Sequence, residues 1–396
     1  MRAANRLNSV QEYYFSRKLR EVRQRIGSGQ DVINMGIGSP DLPPPAAALS
    51  ALTESLSQPT AHKYQSYQGT PALRQTIATY YQDAFGVALN PENEVLPLMG
   101  SKEGIMHISM AFLNQGDGVL IPNPGYLTYA SVTELVGARA VPYTLSAATN
   151  WLPNLEALAK QDLTGVKLMW VNYPHMPTGA IADAAFLAEL VAFAKTHDLL
   201  LINDNPYANI LNDAPMSLLQ VPGAKEVALE LQSLSKAYNM AGWRVGMVCG
   251  SAAHIQDILK VKSNMDSGMF FGLQQGAMAA LAQGTAWFSE LNATYRSRRE
   301  LIWQLAEALG TTFERDTAGM FVWAKLPEGA LDSEAYIDAL LEEHHIFIAP
   351  GTIFGTAGEG YVRFSLCVTE ARIQEALKRI ASVSYTHLRA HETRSD

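Results

Sequence analysis

Residues 233–246 read Ser233-Leu234-Ser235-Lys236-Ala237-Tyr238-Asn239-Met240-Ala241-Gly242-Trp243-Arg244-Val245-Gly246. A protonated lysine, with an ordinary pKa near 10.4, is a poor nucleophile in water. It becomes useful for imine chemistry where its surroundings favour the neutral amine. Here two hydroxyls, Ser233 and Ser235, flank the approach to Lys236, and Arg244 follows on a glycine-framed turn. An imine-forming amine therefore sits beside several anion-binding groups. A cofactor carrying both an aldehyde and a phosphate needs that combination. A lone lysine would read as a solvated residue before a loop; the whole run does not.

Around this run, short apolar stretches alternate with helical patterns. Val119–Pro122, Leu168–Val171, Leu199–Ile202, Ala228–Leu231 and Val245–Val248 read as buried strands, and Asp183 to Thr196 as a helix between two of them. Such alternation predicts an α/β fold with a mostly parallel sheet and helices on both faces. A helix is expected from about Thr285 to Leu309. Beyond it, strand patterns at Met320–Lys325 and Tyr361–Leu366 and a helix over Ser333–His344 read as a smaller α+β part. The expected division is 49–285 for the large domain, and 1–48 with 286–383 for the small one.

Other polar residues fall at strand ends, where open α/β sheets bind ligands. Asp204, in Ile202-Asn203-Asp204-Asn205-Pro206-Tyr207, follows an apolar run. A carboxylate buried there needs a cation; the plainer reading is a helix N-cap before Pro206. Met99-Gly100-Ser101-Lys102-Glu103-Gly104 precedes a helical pattern beginning near Ile105, and a helix start presents unpaired N–H groups to an anion. Asn123-Pro124-Gly125-Tyr126 places an aromatic ring after another strand. Arg363, in Tyr361-Val362-Arg363-Phe364, points by alternation away from the faces of Val362 and Phe364. Its planar guanidinium suits a carboxylate held by two parallel hydrogen bonds.

Taken together, these segments resemble, in order and over most of the chain, the fold-type I, class I/II aminotransferases, which use pyridoxal 5'-phosphate (PLP). The resemblance implies a mostly parallel seven-stranded central sheet. It implies that Lys236 forms the internal aldimine and shuttles the proton between Cα and C4'. Ser233, Ser235 and Arg244, with Gly100, Ser101 and Lys102, would hold the phosphate. Asp204 would pair with the pyridine nitrogen, Tyr207 would donate to the ring O3', and Tyr126 would stack on the ring. Arg363 would bind the substrate α-carboxylate, with a backbone N–H from Gly38 in Gly36-Ile37-Gly38-Ser39-Pro40-Asp41. Tyr64, five residues before Gly69, would reach the phosphate of a neighbouring subunit, which implies a homodimer with shared active sites. One position departs from the family pattern: Met176 stands where a second donor to O3', an Asn, is usual. Tyr207 then acts alone, or Asn172 or His175 replaces the missing donor.

The expected activity is transfer of an amino group from an L-amino acid to a 2-oxo acid, by a ping-pong mechanism through the Lys236 aldimine. The Gly-Ser-Pro-Asp-Leu-Pro-Pro stretch resembles alanine, methionine and diaminopimelate types, with LL-diaminopimelate-type donors first. A β-elimination C–S lyase could use the same constellation. A non-catalytic PLP-sensing domain of a transcription regulator would need a basic DNA-binding module.

Composition narrows the field further. The 396 residues are 48% hydrophobic, with net charge -8 and no long basic run, which argues against a nucleic-acid partner. With only Cys249 and Cys367, no disulfide framework is expected. No apolar stretch approaches a membrane span, and no signal-peptide pattern opens the chain, so a cytoplasmic location is expected. No metal site is expected: His387 and His391, four apart, could mimic a helical metal pair but fall in a stretch set aside below, and the remaining histidines show no ligand spacing. Residues 384–396, from Ser384-Tyr-Thr-His-Leu, read like the translation of a sequencing adapter and are set aside as a non-native tail.

Overall fold

Leu168 and Trp170 pack into one buried cluster with Leu96, Ile105 and Val119, while Met169 and Val171 pack into another with Leu120 and Leu201. Successive strand residues thus point to opposite faces, and both faces are covered. That is why this strand reads as an unbroken apolar run rather than an alternating one. In the computed structural model the described residues are 3–9 and 14–381; the adapter-like stretch from 384 lies outside them.

After a two-residue strand β1 (Ile33–Asn34), seven strands form the central sheet. They are β2 (Val95–Leu98), β3 (Gly118–Asn123), β4 (Arg139–Thr144), β5 (Val166–Val171), β6 (Leu200–Asp204), β7 (Ala228–Ser233) and β8 (Gly246–Gly250). Their order is β2-β8-β7-β6-β5-β3-β4. The five strands from β7 to β4 are mutually parallel, whereas β8 runs antiparallel to both β7 and β2. The Lys236 run is therefore the connection that reverses the chain between β7 and β8. Ser233 pairs with Gly246 across it. A Cβ on Gly246 would lie 2.8 Å from both Gln232 O and Ser101 N, so a residue without one lets the helix at Ser101 approach.

The helix Gly284–Ala308 buries Leu291, Tyr295, Ile302 and Leu305 at helical spacing. It leads into β9 (Thr312–Phe313), β10 (Phe321–Lys325), β11 (Ile346–Phe347), β12 (Ala349–Pro350) and β13 (Tyr361–Ser365). Four of these form an antiparallel sheet in the order β12-β13-β10-β9. The N-terminal segment joins this part: β1 pairs in parallel with β11, and Arg372 and Arg379 hold Asp31. Among the described residues no helix is long and apolar enough to cross a membrane.

Candidate active site

A cavity of about 610 Å³ opens where the ends of β6, β7 and β13 meet the start of the helix Ser101–Phe112. Gly38, Ser101, Lys102, Tyr126, Asp204, Tyr207, Ser233, Ser235, Lys236, Arg244 and Arg363 all line it. Gly100 sits at its edge, and Tyr64 does not join it. Tyr64 is 90% exposed, in a separate surface group with Lys63 and Phe270.

Two cations and a helix start crowd one end. The helix begins at Ser101 rather than near Ile105, because Gly100 takes a positive φ of 89° and turns the chain one residue before it. A Cβ on Gly100 would lie 2.0 Å from Arg244 Nη2, so the glycine is what admits the guanidinium. Arg244 is itself in the left-handed region and donates from Nη1 to Ala241 O at 2.8 Å. The Ser233 hydroxyl accepts from Ser235 N at 3.1 Å. Helical N–H groups, two serine hydroxyls, Lys102 and Arg244 around one pocket are an arrangement that favours an anion.

Lys236 donates from Nζ to Gly38 O. Gly38 thus meets the site's amine through its carbonyl, a contact separate from the one expected of its N–H. Burial pulls the Lys236 ammonium below the ordinary lysine range; the nearby Cys367 thiol opposes this, and Arg363 and Arg244 add to it. This is the setting in which a lysine amine is neutral more readily.

Asp204 closes β6, and no helix follows it, which removes the N-cap reading. Tyr129 donates to Oδ2 at 2.8 Å, while Oδ1 is buried with no partner among the described residues. Burial pushes the carboxyl up to about 6, against the lowering effect of the Tyr129 hydrogen bond. Tyr129 was not foreseen; its signal was its place three residues beyond Tyr126. Its ring stacks on Trp170 at 4.9 Å and meets Tyr126 edge-on at 5.5 Å.

Met176 is buried beside the cavity, its Sδ 3.5 Å from Arg363 Nη1. The two candidate replacements for the missing Asn both have other partners. Asn172 lines the cavity, but its Nδ2 donates to Asp204 O and its Oδ1 accepts from Met176 N at 2.7 Å. His175 lies outside the lining, with Nδ1 2.8 Å from Thr178 Oγ1, and burial holds its pKa down to about 3. Tyr207 remains, its hydroxyl pushed well up by burial and hence a proton donor.

Arg363 is 5% exposed, so it is no solvated strand residue. Its guanidinium lies 4.0 Å from the centre of the Phe321 ring and 4.6 Å from that of Phe354. Nη2 donates to Gly36 O at 2.7 Å, and Nε is buried without a partner among the described residues. Burial draws its pKa down to about 10, and the Tyr207 hydroxyl opposes this. A buried cation so placed is costly until an anion joins it.

One group of possible metal ligands occurs among the described residues: Glu103, His107 and Asp266. The Glu103/His107 pair, four apart, escaped the sequence reading. Lys262 Nζ already lies 2.9 and 2.7 Å from the two Asp266 oxygens, so the protein supplies its own cation there.

The residues suit PLP on two observations. The unpartnered Oδ1 of Asp204 fits a protonated ring nitrogen, and the Gly100–Arg244 approach forms a cradle that any side chain at 100 would fill.

The model of the aminotransferase class I and II family matches residues 30–380. The chain is 41% identical over 389 residues to a protein of Moorella thermoacetica named LL-diaminopimelate aminotransferase, covering 97% of this chain and 98% of that one. It is 40% identical over 383 residues to the protein of the same name from Dehalococcoides mccartyi strain BAV1, covering 96% and 98%. Among solved structures, substrate-bound BacF from Bacillus subtilis superposes with a TM-score of 0.92 at 35% identity, covering 96% of this chain and 98% of that one. An aminotransferase from Staphylococcus aureus does so with a TM-score of 0.88 at 32% identity, covering 98% and 100%.

Proposed function

Because this chain belongs to the class I and II aminotransferase family, and is thus a PLP-dependent aminotransferase, we propose that Lys236 is its catalytic lysine and Arg363 its carboxylate anchor. On this reading an L-amino acid gives up its amino group and a 2-oxo acid then receives it, in two half-reactions at one site. The observation that carries it is the pairing of a half-buried amine, Lys236, with a buried arginine that has no carboxylate partner among the described residues, in one cavity.

When bound, PLP supplies a carbonyl that condenses with amines and a protonated ring that withdraws electrons from the carbon bearing the amino group. Gly100, Ser101, Lys102, Ser233, Ser235 and Arg244 would hold the phosphate. Asp204 would hold the ring nitrogen's proton through Oδ1, and Tyr129 keeps its other oxygen occupied. Tyr126 would cover the ring face, and Tyr207 would donate to the ring hydroxyl oxygen. Lys236 Nζ would be attached to the cofactor at rest. Once free, Nζ would take the donor's Cα proton as a base and hold it for return to the reacting system, a role its lowered pKa favours. Arg363 fixes the donor's carboxylate, so that the Cα proton stays within reach of Nζ.

Tyr64, Tyr67 and Met265 are exposed apolar or aromatic side chains outside the cavity. They support a homodimer in which Tyr64 serves the neighbouring site. LL-diaminopimelate-type amino acids are the first donors to try, since relatives about two-fifths identical over nearly the whole chain carry that name.

The test is a panel of amino donors with 2-oxoglutarate and pyruvate, scoring oxo-acid product against free ammonia. Stoichiometric oxo acid and new amino acid support transfer. Ammonia with pyruvate from sulfur-containing donors alone would assign a C–S lyase instead.

A further inference from the structure

Arg298 does not line the cavity, yet it binds Asp41, three residues beyond Gly38, and Leu366, three beyond Arg363. It is 2% exposed, on the helix Gly284–Ala308. Its Nη1 and Nη2 hold Asp41 Oδ1 and Oδ2 at 2.7 and 3.0 Å, a bidentate pair. The same Nη1 donates to Leu366 O at 3.0 Å. Leu366 stands three residues after Arg363, immediately beyond β13.

Asp41 ends a strap that crosses the cavity. Before it, the chain is fixed by Met35, whose N donates to Phe347 O at 2.7 Å and whose O accepts from Ser365 N at 2.8 Å. Beyond it, Pro43 O accepts from Asn239 Nδ2 at 3.1 Å. Between these anchors Gly36 O meets Arg363 Nη2, and Gly38 O meets Lys236 Nζ. Gly38 packs on Phe321 so closely that an added Cβ would come within 2.6 Å of the ring. A strap of five residues, 36–40, thus touches both the amine and the guanidinium of Arg363, and the Arg298 guanidinium holds the residue that follows it.

Resting on the assignment of Arg363 to the substrate carboxylate, the geometry points to Asp41 and Arg298 as positioning residues. Their ion pair sets the distance between the strap and the strand carrying Arg363, and so the width of the carboxylate pocket. A planar fork is required, because one guanidinium must satisfy two carboxylate oxygens and a carbonyl together. Lysine carries the charge but not that geometry.

The experiment uses holoenzyme: wild type, Asp41→Asn, Arg298→Lys and Arg363→Ala. Each is titrated with 2-aminoisobutyrate, which has a carboxylate and an amine but no Cα proton, and binding is read from the cofactor's visible spectrum. Hydrogen exchange at the amides of 36–39 is measured alongside, with melting temperature as the control for folding. Asp41→Asn and Arg298→Lys should each weaken half-saturation by roughly ten-fold or more and speed exchange across the strap. For a turned-over donor, KM should rise while kcat changes little. Unchanged half-saturation in both variants overturns the proposal. So does weaker binding without faster strap exchange, which would make the pair a fold element only. Arg363→Ala separates the two assignments: if it binds 2-aminoisobutyrate as wild type does, the carboxylate role of Arg363 fails. Strap exchange in the other variants then still decides what Arg298 fixes.

Discussion

The Tyr129 hydroxyl occupies Asp204 Oδ2 at 2.8 Å and leaves Oδ1 buried with no partner among the described residues. In protein stripped of cofactor this carboxyl titrates near 6, against 3.8 in the unfolded chain. Its raised value means the fold prefers the protonated form. The associated stability is full below about pH 4 and is lost as pH rises through 6, at a cost of up to about 3 kcal/mol. Apo-protein carrying Asp204→Asn should therefore match wild type in acid and become the more stable of the two above pH 6. Melting temperatures of both apo-proteins across that range check this; parallel curves would mean that Asp204 is ionised at no cost. In holoenzyme the same substitution should lower kcat by roughly a hundred-fold or more, since a fixed charge facing the reacting system is lost.

Lys236 is assigned by its place in the turn between β7 and β8 and by its depressed ammonium. Borohydride reduction of holoenzyme should fix the cofactor on the peptide containing Lys236, and Lys236→Ala should abolish transfer. Mass spectrometry finding the adduct on Lys102 or Lys262 would refute the assignment.

For Arg363, binding and stability should move in opposite directions. The guanidinium is buried between Phe321 and Phe354, so in free enzyme it carries a desolvation cost with no carboxylate to offset it. Arg363→Met keeps much of the volume and removes the charge. It should weaken binding of α-amino acids by roughly 2–5 kcal/mol, while the melting temperature holds or rises. A lower KM, or a sharp loss of stability with normal kinetics, would mean the arginine serves the fold.

Much of this was legible in the chain because the chemistry lies in short runs at strand ends. The Lys236 run, Asp204 and Arg363 each carry a residue type with few other uses beside an apolar strand. What could not be read were partnerships between distant segments. Tyr129 is 75 residues from Asp204, and Arg298 is 257 from Asp41. Nothing local marks either side chain as more than core or surface. The reversed strand β8 was equally hidden: Val245–Val248 is apolar on both faces whichever way it runs. The helix starts at Ser101, earlier than the pattern near Ile105 suggests, and a run with glycines at both 100 and 104 does not by itself mark where the turn ends. Only the positive φ of Gly100 tells which one ends the turn.

Met176 offers the last prediction, and the structure sharpens it. Its sulfur sits 3.5 Å from Arg363 Nη1, and Asn172 beside it has Nδ2 on Asp204 O and Oδ1 on Met176 N. Tyr207, whose hydroxyl burial keeps protonated, is the donor proposed for the ring hydroxyl oxygen. A second donor would stabilise that oxygen's ionised form, which competes with Lys236 Nζ for a shared proton. Met176→Asn should supply one, so the cofactor's visible band should titrate at lower pH than in wild type. An amide at 176 also has an oxygen that could turn toward Arg363. In that case the band would titrate as before while the KM for amino acids shifted. Spectrophotometric titration of both holoenzymes, with KM measured in parallel, distinguishes the two. An unmoved band would show that position 176 acts on the carboxylate site and not on the ring.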